Sequence, residues 1–338
     1  MNPAPAADSS ARPIESVPEA SFDRVPVLLL LVLVLAALPA VGSLGSWLTL
    51  TLAGLSMGLI IFVIASGLTL VFGLMDVLNF GHGVFIALGA FVATSVISYA
   101  AASGWNGFAA VFAAMLAGMG LAAAIGWAFE RLIVRPVYGL HLKQILITMG
   151  GMIIGEELIK VLWGPLQIAM PLPAAFRGAW LIGETAIEKY RVFAAVVGLL
   201  VFAALAFTLN RTKIGLLIRA GVQDRIMVEA LGYRIHQLFV GVFVAGSALA
   251  GLGGVLWGLY QQSVTPQIGA QVNVLIFIVI IIGGLGSTFG CFIGALLVGL
   301  MANYTGFLAP KVALFSNIAL MVAVLMWRPQ GLYPVANR

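Results

Sequence analysis

Charge is absent from most of this chain, and where it is absent decides what the chain can become. No Asp, Glu, Lys or Arg occurs in Val25–Met75, Val77–Phe129, Val192–Asn210 or Ile235–Pro310. A helix needs about 20 apolar residues to cross the hydrocarbon core of a bilayer, so these stretches hold several crossings. Only 9% of the 338 residues are charged and 62% are hydrophobic, against roughly 25% and 45–50% in soluble domains. The fold class that follows is an all-α polytopic membrane protein.

Hydropathy and breakers give about ten spans, near 26–42, 47–75, 80–103, 106–133, 142–163, 191–209, 238–260, 272–285, 288–308 and 311–327, with eight or nine also open. Pro39 marks the expected end of the first, and Gly67 and Gly73 are the expected weak points of the long second. Lys and Arg then test the orientation. One side collects twelve, on the N-terminal tail, Arg131–Lys143, Asn210–Gln237 and the segment after Trp327; the other collects four, Arg177, Lys189, Arg191 and Lys311. Both termini are therefore expected to be cytoplasmic, with an even number of spans. The expected organisation is a disordered cytoplasmic tail over 1–25, one membrane domain over 26–330 with a cytoplasmic segment at 210–237, and a cytoplasmic tail over 331–338.

Several functions are disfavoured. The net charge of +5 sits in short loops between apolar spans, which does not fit nucleic acid. The single cysteine, Cys291, allows no internal disulfide and no cysteine-based zinc site. The acidic, Pro/Ala-rich start lacks the basic opening of a signal peptide. Gly54-Leu-Ser-Met-Gly58 matches a nucleophile elbow in letters but lies inside an apolar span, without the strand and the partners that motif needs. Gly284-Leu-Gly286 opens a dinucleotide fingerprint that Phe289 breaks. No glycine is followed by lysine, so there is no Walker A loop, and the histidines 82, 141 and 236 lie far apart. No cofactor and no metal are expected.

Forty glycines are an excess over the usual 7% or so. Gly54/Gly58, Gly151/Gly155, Gly254/Gly258 and Gly286/Gly290/Gly294 repeat at four-residue spacing, which lets helix backbones approach closely in lipid. Polar groups at membrane depth are few. Glu156 and Lys160 stand at i, i+4 beside Glu157 and read as a self-neutralising group. Isolated buried carboxylates of the kind a proton-coupled carrier uses are nearly missing, so the driving energy must come from elsewhere.

The segment from Gly67 to Gly83 is different. An apolar helix runs into Asp76, Asn79 and His82 among glycines, then resumes. Glycines let the chain unwind there, and Asp, Asn and His either cap the exposed backbone or line a path. Gly283–Gly290 is a weak echo, and both breaks are expected on the cytoplasmic side. In the basic stretch 210–237, Ile218, Val222, Ile226, Glu229 and Tyr233 keep helical spacing and Gly232 supplies a stop. The reading is a short amphipathic helix outside the bilayer, suited to anionic lipid or to a soluble partner.

These blocks together resemble the permease subunits of bacterial ABC importers for branched-chain amino acids. The likeness runs from about Leu48 to Tyr333. It rests on Gly67-Leu-Thr-Leu-Val-Phe-Gly73, Leu78-Asn-Phe-Gly-His-Gly83, Arg219-Ala220 with Glu229-Ala-Leu-Gly232, the glycine-rich run Ala245–Gly254, Gly283-Gly-Leu-Gly286 and Arg328-Pro-Gln-Gly-Leu332. It implies a type II-like permease in the plasma (inner) membrane. The expected partners are a related second permease, two ATP-binding subunits and an extracytoplasmic solute-binding protein, with no catalysis in this chain. Thr69, Asp76, Asn79 and His82 become the expected pathway or gate, with helix capping an equal reading for the last three. Arg219, Asp224, Arg225, Glu229, Ala230 and Gly232 become the expected coupling to the ATPases. Gln261, Gln262, Thr265, Gln267 and Asn273 form an uncharged polar loop suited to the binding protein. Branched-chain or related small amino acids suit the uncharged interior, as do urea, short amides or aromatic acids; an ATP-independent carrier is the rival class.

Overall fold

Away from water each backbone N–H and C=O must find its partner inside its own segment, so apolar runs of this length become helices. The computed structural model describes residues 23–223 and 225–334. Its helices are α1 (Val25–Val41), α2 (Leu44–Met75), α3 (His82–Ala102), α4 (Gly107–Phe129), α5 (His141–Trp163), α6 (Lys189–Arg211), α7 (Lys213–Gln223), α8 (Arg225–Ala230), α9 (Ile235–Gln261), α10 (Ile268–Gly283), α11 (Thr288–Leu308) and α12 (Ala313–Trp327). Each expected span falls on one of these helices. Among the described residues α2, α3, α4 with the turns that prolong it, α6, α9 and α11 are long and apolar enough to cross a membrane, and α1, α10 and α12 are shorter apolar helices.

Two expectations about α1 and α2 are corrected. Pro39 lies within α1, and Gly42, at φ 80°, ends it. α2 runs unbroken for 32 residues. Gly67 and Gly73 do not weaken it, because they are where other backbones touch it. A Cβ on Gly73 would lie 2.8 Å from the Gly286 Cα, and one on Gly67 would overlap the Gly246 carbonyl oxygen. The helix is buried almost all round from Ala53 to Val71, which marks it as a central rod and not a surface element.

α9 is the second rod. It runs antiparallel to α2, with Gly246 against Gly67 and Gly253 against Ile64, and it packs α3 and α4 on its other sides. Gly54, Gly58, Gly254, Gly290 and Gly294 do the backbone packing expected of them, whereas Gly151, Gly155 and Gly258 meet side chains. A Cβ on Gly54 would come 2.9 Å from the Leu300 Cα and one on Gly58 2.8 Å from the Ala295 carbonyl oxygen, so α2 and α11 meet backbone to backbone. Lipid tails are as apolar as leucine, so such close contact, and not hydrophobic transfer, is what holds the helices together.

The chain is not all helix. Ala179–Ile182 (β2) and Thr185–Glu188 (β3) form an antiparallel hairpin, and Ile168–Ala169 (β1) pairs with Ser263–Val264 (β4). The hairpin sits over the start of α2, where the Ala186 N–H donates to Thr49 Oγ1 at 3.2 Å. The first and last described segments meet at the other end. Arg328 pairs with Asp23, and the Tyr333 hydroxyl donates to the Asp23 carbonyl at 2.6 Å. The expected tail over 331–338 is therefore too long. Leu332 and Tyr333 donate their N–H groups to Ile282 and Gly283 at 2.9 and 3.0 Å, which ties the segment to the end of α10. Of the expected N-terminal tail, residues 1–22 lie outside the described residues.

Candidate functional site

The break after α2 is formed by a left-handed residue. Asp76 takes φ 53° and ψ 37° at the C-cap, turning the chain back along the helix it has just left. Residues 76–81 then climb, because His82 at the start of α3 places Nε2 3.2 Å from the Ile64 carbonyl. Ile64 lies eleven residues before Met75, or about 16 Å at 1.5 Å per residue. α3 therefore begins inside the bundle, beside the middle of α2.

The turn is held from two sides. The Phe80 N–H donates to Thr148 Oγ1 of α5 at 3.1 Å, and the Phe80 carbonyl accepts from Asn273 Nδ2 of α10 at 3.0 Å. The Phe80 ring stacks on Phe277 with centroids 4.8 Å apart. Irregular backbone at this depth is tolerated only where protein satisfies it, and these bonds do so for Phe80.

A second turn enters from the opposite end. α9 ends at Gln262 with φ 54°, and β4 folds back along it, so that a Cβ on Gly258 would lie 3.2 Å from Val264. α10 then begins against α3. A Cβ on Gly83 would come 2.8 Å from the Gly269 carbonyl oxygen, and one on Gly269 would overlap the Gly83 carbonyl oxygen. Two helix N-termini thus meet within the bundle, reached by turns from opposite ends. The expected echo at Gly283–Gly290 is a different object. It is a tight turn at the end of the bundle, capped by Ser287 Oγ accepting from the Gly290 N–H at 3.0 Å, beside the attached C-terminal segment.

The four expected pathway residues separate. Thr69 is buried and donates to the Ala65 carbonyl of its own helix at 2.8 Å. Asp76 is exposed and pairs with His141 Nε2 at 3.1 Å. Only Asn79 and His82 are buried in the turn, each 1% exposed. Both amide atoms of Asn79, the His82 Nδ1 and the Asn273 Oδ1 have no hydrogen-bond partner. The Ile64 carbonyl can only accept, so His82 carries its proton on Nε2 and Nδ1 is an acceptor.

Asn273 is a correction. It is 4% exposed inside α10 and bonded to the turn at Phe80, so it does not belong to the polar loop assigned to it. The uncharged polar run from Gln261 to Asn273 gave no hint that the chain had already re-entered the bundle. Gln261, Gln262 and Gln267 are exposed and Thr265 is half-buried, at the end that also carries the β2–β3 hairpin. Sequence reasoning missed that hairpin and its exposed Trp180, Leu181 and Ile182. The alternation Thr185-Ala-Ile-Glu188 after Gly183 was the available signal.

The amphipathic segment is helical on both sides of residue 224, which lies outside the described residues: α7 covers Lys213–Gln223, α8 covers Arg225–Ala230, and Gly232 takes φ 87° after it. Ile218 packs on Leu70 and Val242, and Val228 on Ile235 and Phe239. Tyr233 is 52% exposed, while Val228 is buried. Arg219, Glu229, Ala230 and Gly232 are exposed; Asp224 and the side chain of Arg225 lie outside the described residues. The segment sits at the end of α2 and α9 nearest the first and last described segments. The Glu156, Glu157 and Lys160 group is as expected, with Lys160 Nζ 3.1 and 2.8 Å from the two carboxylates. Glu130 escaped notice. It is 1% exposed in the π-helical turn after α4 and accepts from the Tyr138 hydroxyl.

A family model described as the permease component of the branched-chain amino acid transport system matches residues 50–326. The high-affinity branched-chain amino acid transport system permease protein LivH of Escherichia coli K12 is 29% identical over 287 residues, covering 82% of this chain and 92% of LivH. LivM of the same strain, also named as a permease protein of that system, is 28% identical over 318 residues, covering 86% of this chain and 71% of LivM. Among solved structures, a metal-chelate type ABC transporter in an inward-facing conformation is 17% identical and has a TM-score of 0.49, covering 89% of this chain and 94% of its own.

Proposed function

The chain belongs to the permease components of branched-chain amino acid transport systems, and from that we propose that it is one membrane subunit of an ATP-driven importer for branched-chain or related small amino acids. The observation that carries the reading is the extent of the family match. It runs from residue 50 to 326 and so takes in the bundle from α2 to α12, not one motif. On this reading the protein sits in the bacterial plasma membrane with its termini and the 210–237 segment in the cytoplasm. The twelve-to-four distribution of Lys and Arg supports that orientation.

Two ATP-binding subunits hydrolyse ATP and press on α7 and α8. The exposed Arg219, Glu229, Ala230 and Gly232 are the contact, with Asp224 and Arg225 between them. A solute-binding protein docks at the other end, on Gln261, Gln262, Thr265 and Gln267 and on the β2–β3 hairpin. The likeness to both LivH and LivM supports a second, related permease as the partner across which substrate passes. Asn79 and His82 belong to the gate, and Thr69 and Asp76 flank it. Alternating access then follows if nucleotide binding moves α7 and α8, which pack on α2 and α9 through Ile218 and Val228.

Reconstitution tests this directly. Proteoliposomes holding this chain, its partner permease, the two ATPases and the binding protein should take up radiolabelled leucine only with ATP inside the ATPase compartment. Uptake by this chain alone, without ATP, would make it a secondary carrier and end the importer reading.

A further inference from the structure

Arg131, Arg135 and Lys143 are exposed around the turn from α4 to α5, and the acids near them are already engaged. Glu130 is buried and accepts from the Tyr138 hydroxyl, and Asp76 pairs with His141. No other acid occurs between Val77 and Gly155, so this end of α5 presents net positive charge. Trp127 marks its depth. The Arg131 guanidinium lies over the half-exposed ring, 5.6 Å from the centroid, and such Trp and Arg side chains sit where a helix passes from hydrocarbon to head groups.

From that level an apolar groove runs along α5. It is a cavity of about 500 Å³, walled by Leu132 and Ile133 of the turn on one side and by Leu146, Gly151 and Ile154 of α5 on the other, with Lys143 as its one charged lining residue. The α5 residues that line it run from Lys143 to Ile154, eleven residues or about 16 Å at 1.5 Å each. Half of a hydrocarbon core of about 30 Å is about 15 Å, so the groove is one leaflet deep. Gly150 helps to keep it open, since a Cβ there would meet nothing within 4 Å. Leu132 and Leu146 are 74% and 72% exposed, so the groove opens sideways out of the bundle and not into its centre.

Such a groove selects by its two ends. Its length suits a hydrocarbon chain, its cationic end suits an anion in the head-group layer, and one kind of molecule supplies both. We propose that the groove between the turn after α4 and α5 binds an acyl chain of an anionic phospholipid, with the phosphate at Lys143. Basic pockets between helices at this depth attract anionic head groups. A helix of a second protein fits less well. It buries Lys143 unless it brings an acid, and a buried unpaired charge is costly, whereas a lipid phosphate stays in the hydrated head-group layer. On the orientation proposed above, the lipid belongs to the cytoplasmic leaflet. The site goes beyond the importer reading and does not depend on it. Its consequence falls on α5, whose Thr148 holds the Phe80 turn and whose Gly151 meets Phe129. A bound chain fills the open side between α5 and the turn and keeps α5 against the bundle.

Photolabelling of the intact complex in lipid nanodiscs tests this. The probe is phosphatidylglycerol with a photoreactive group at the end of one acyl chain, compared with phosphatidylcholine carrying the same chains. The phosphatidylglycerol probe should label the α5 peptide around Ile154 at least five-fold more than the phosphatidylcholine probe. Lys143→Gln should abolish that preference. Gly150→Leu, placed where a Cβ has free space, should cut labelling by both probes at least five-fold and melt no lower than wild type in lipid-free detergent. Equal labelling of wild type by the two probes overturns the site whatever the variants do, as does a preference that survives both substitutions. Efficient cross-linking of Leu146→Cys to the second permease overturns it too, since protein and not lipid would then cover the groove. Leucine uptake does not enter these readouts, so the lipid site and the importer reading fail separately.

Discussion

Replacing Gly254 by alanine tests whether bare backbone contact is what holds α3 on α9. The added Cβ would stand 3.1 Å from the Ile86 Cα and would overlap the Ile86 carbonyl oxygen. The overlap with the carbonyl oxygen is the tightest contact and sets the separation, so the two helices must part by about 1 Å or more, which forfeits about half or more of each contact well. At about 0.1–0.2 kcal/mol per atom pair, the contacts around one crossing point sum to a loss of about 1–3 kcal/mol, the usual range for overpacking. Water cannot offset it, since in lipid packing is itself the driving force. Gly120 of α4 is the control, because nothing lies within 4 Å of a Cβ there. Gly120→Ala should be neutral or gain up to about 1 kcal/mol of helix propensity. Thermal unfolding of the purified complex, followed by the fluorescence of its tryptophans, reads the difference as roughly 2–8 °C between the variants. If Gly254→Ala melts at or above Gly120→Ala, backbone contact is not what fixes these helices, and the account of the glycine excess given above is wrong.

Three further outcomes follow from single contacts. Thr148→Val removes the hydroxyl that accepts from the Phe80 N–H and should cost about 1–3 kcal/mol in the same melting assay, with Thr148→Ser keeping most of the stability; equal stability of Val and Ser variants would mean the bond does not hold the turn. Arg219→Ala and Glu229→Ala should leave the fold intact while leucine uptake per ATP hydrolysed falls at least five-fold; unchanged ratios in both would remove α7 and α8 from the coupling route. The Asp23 carboxyl is held below its ordinary value, first by the Val25 N–H and then by Arg328. A depressed carboxyl contributes while it is ionised, so its hold on the C-terminal segment is present at neutral pH and disappears as pH falls through its lowered pKa. Melting curves of wild type and Asp23→Asn should therefore differ near pH 7 and converge in acid, once pH has fallen below the ordinary carboxyl range and through the lowered pKa, and curves that stay apart there would place the stabilisation elsewhere.

What could be read from the sequence was set by one physical scale at a time. Hydropathy over 20 residues located the helices, since lipid forces each apolar run to satisfy its own backbone. Charge over short loops put Asp23 and Arg328 on one side, and the structure pairs them. The four-residue glycine spacing predicted close packing at Gly54 and Gly58, which is where α11 lies. What failed needed three-dimensional depth. Asp76, Asn79 and His82 were legible as a break but not as a climb of about 16 Å along α2. Asn273 looked like loop because the sequence has no sign that α10 starts part-way through the bundle.

These failures share a cause that bears on transport. A path through a membrane protein must be closed without a permanent wall, and it must open without exposing unpaired backbone to lipid. A helix crossing the whole bilayer does neither, since its ends are fixed in water and its middle is sealed. A helix that begins inside the bundle has one end available for contact. Two such ends, at Gly83 and Gly269, close against one another with no side chain between them. The unpaired amides of Asn79 and Asn273 are unfavourable in that closed state by a few kcal/mol at most. On the importer reading that cost has a use: it narrows the gap between closed and open, so that the work of nucleotide binding at α7 and α8 need not break a fully satisfied network. Replacing the unpaired Asn79 amide by an apolar side chain of similar size, Asn79→Leu, should therefore slow uptake while raising stability; loss of both together would show that the amides are structural and that the gap is set elsewhere.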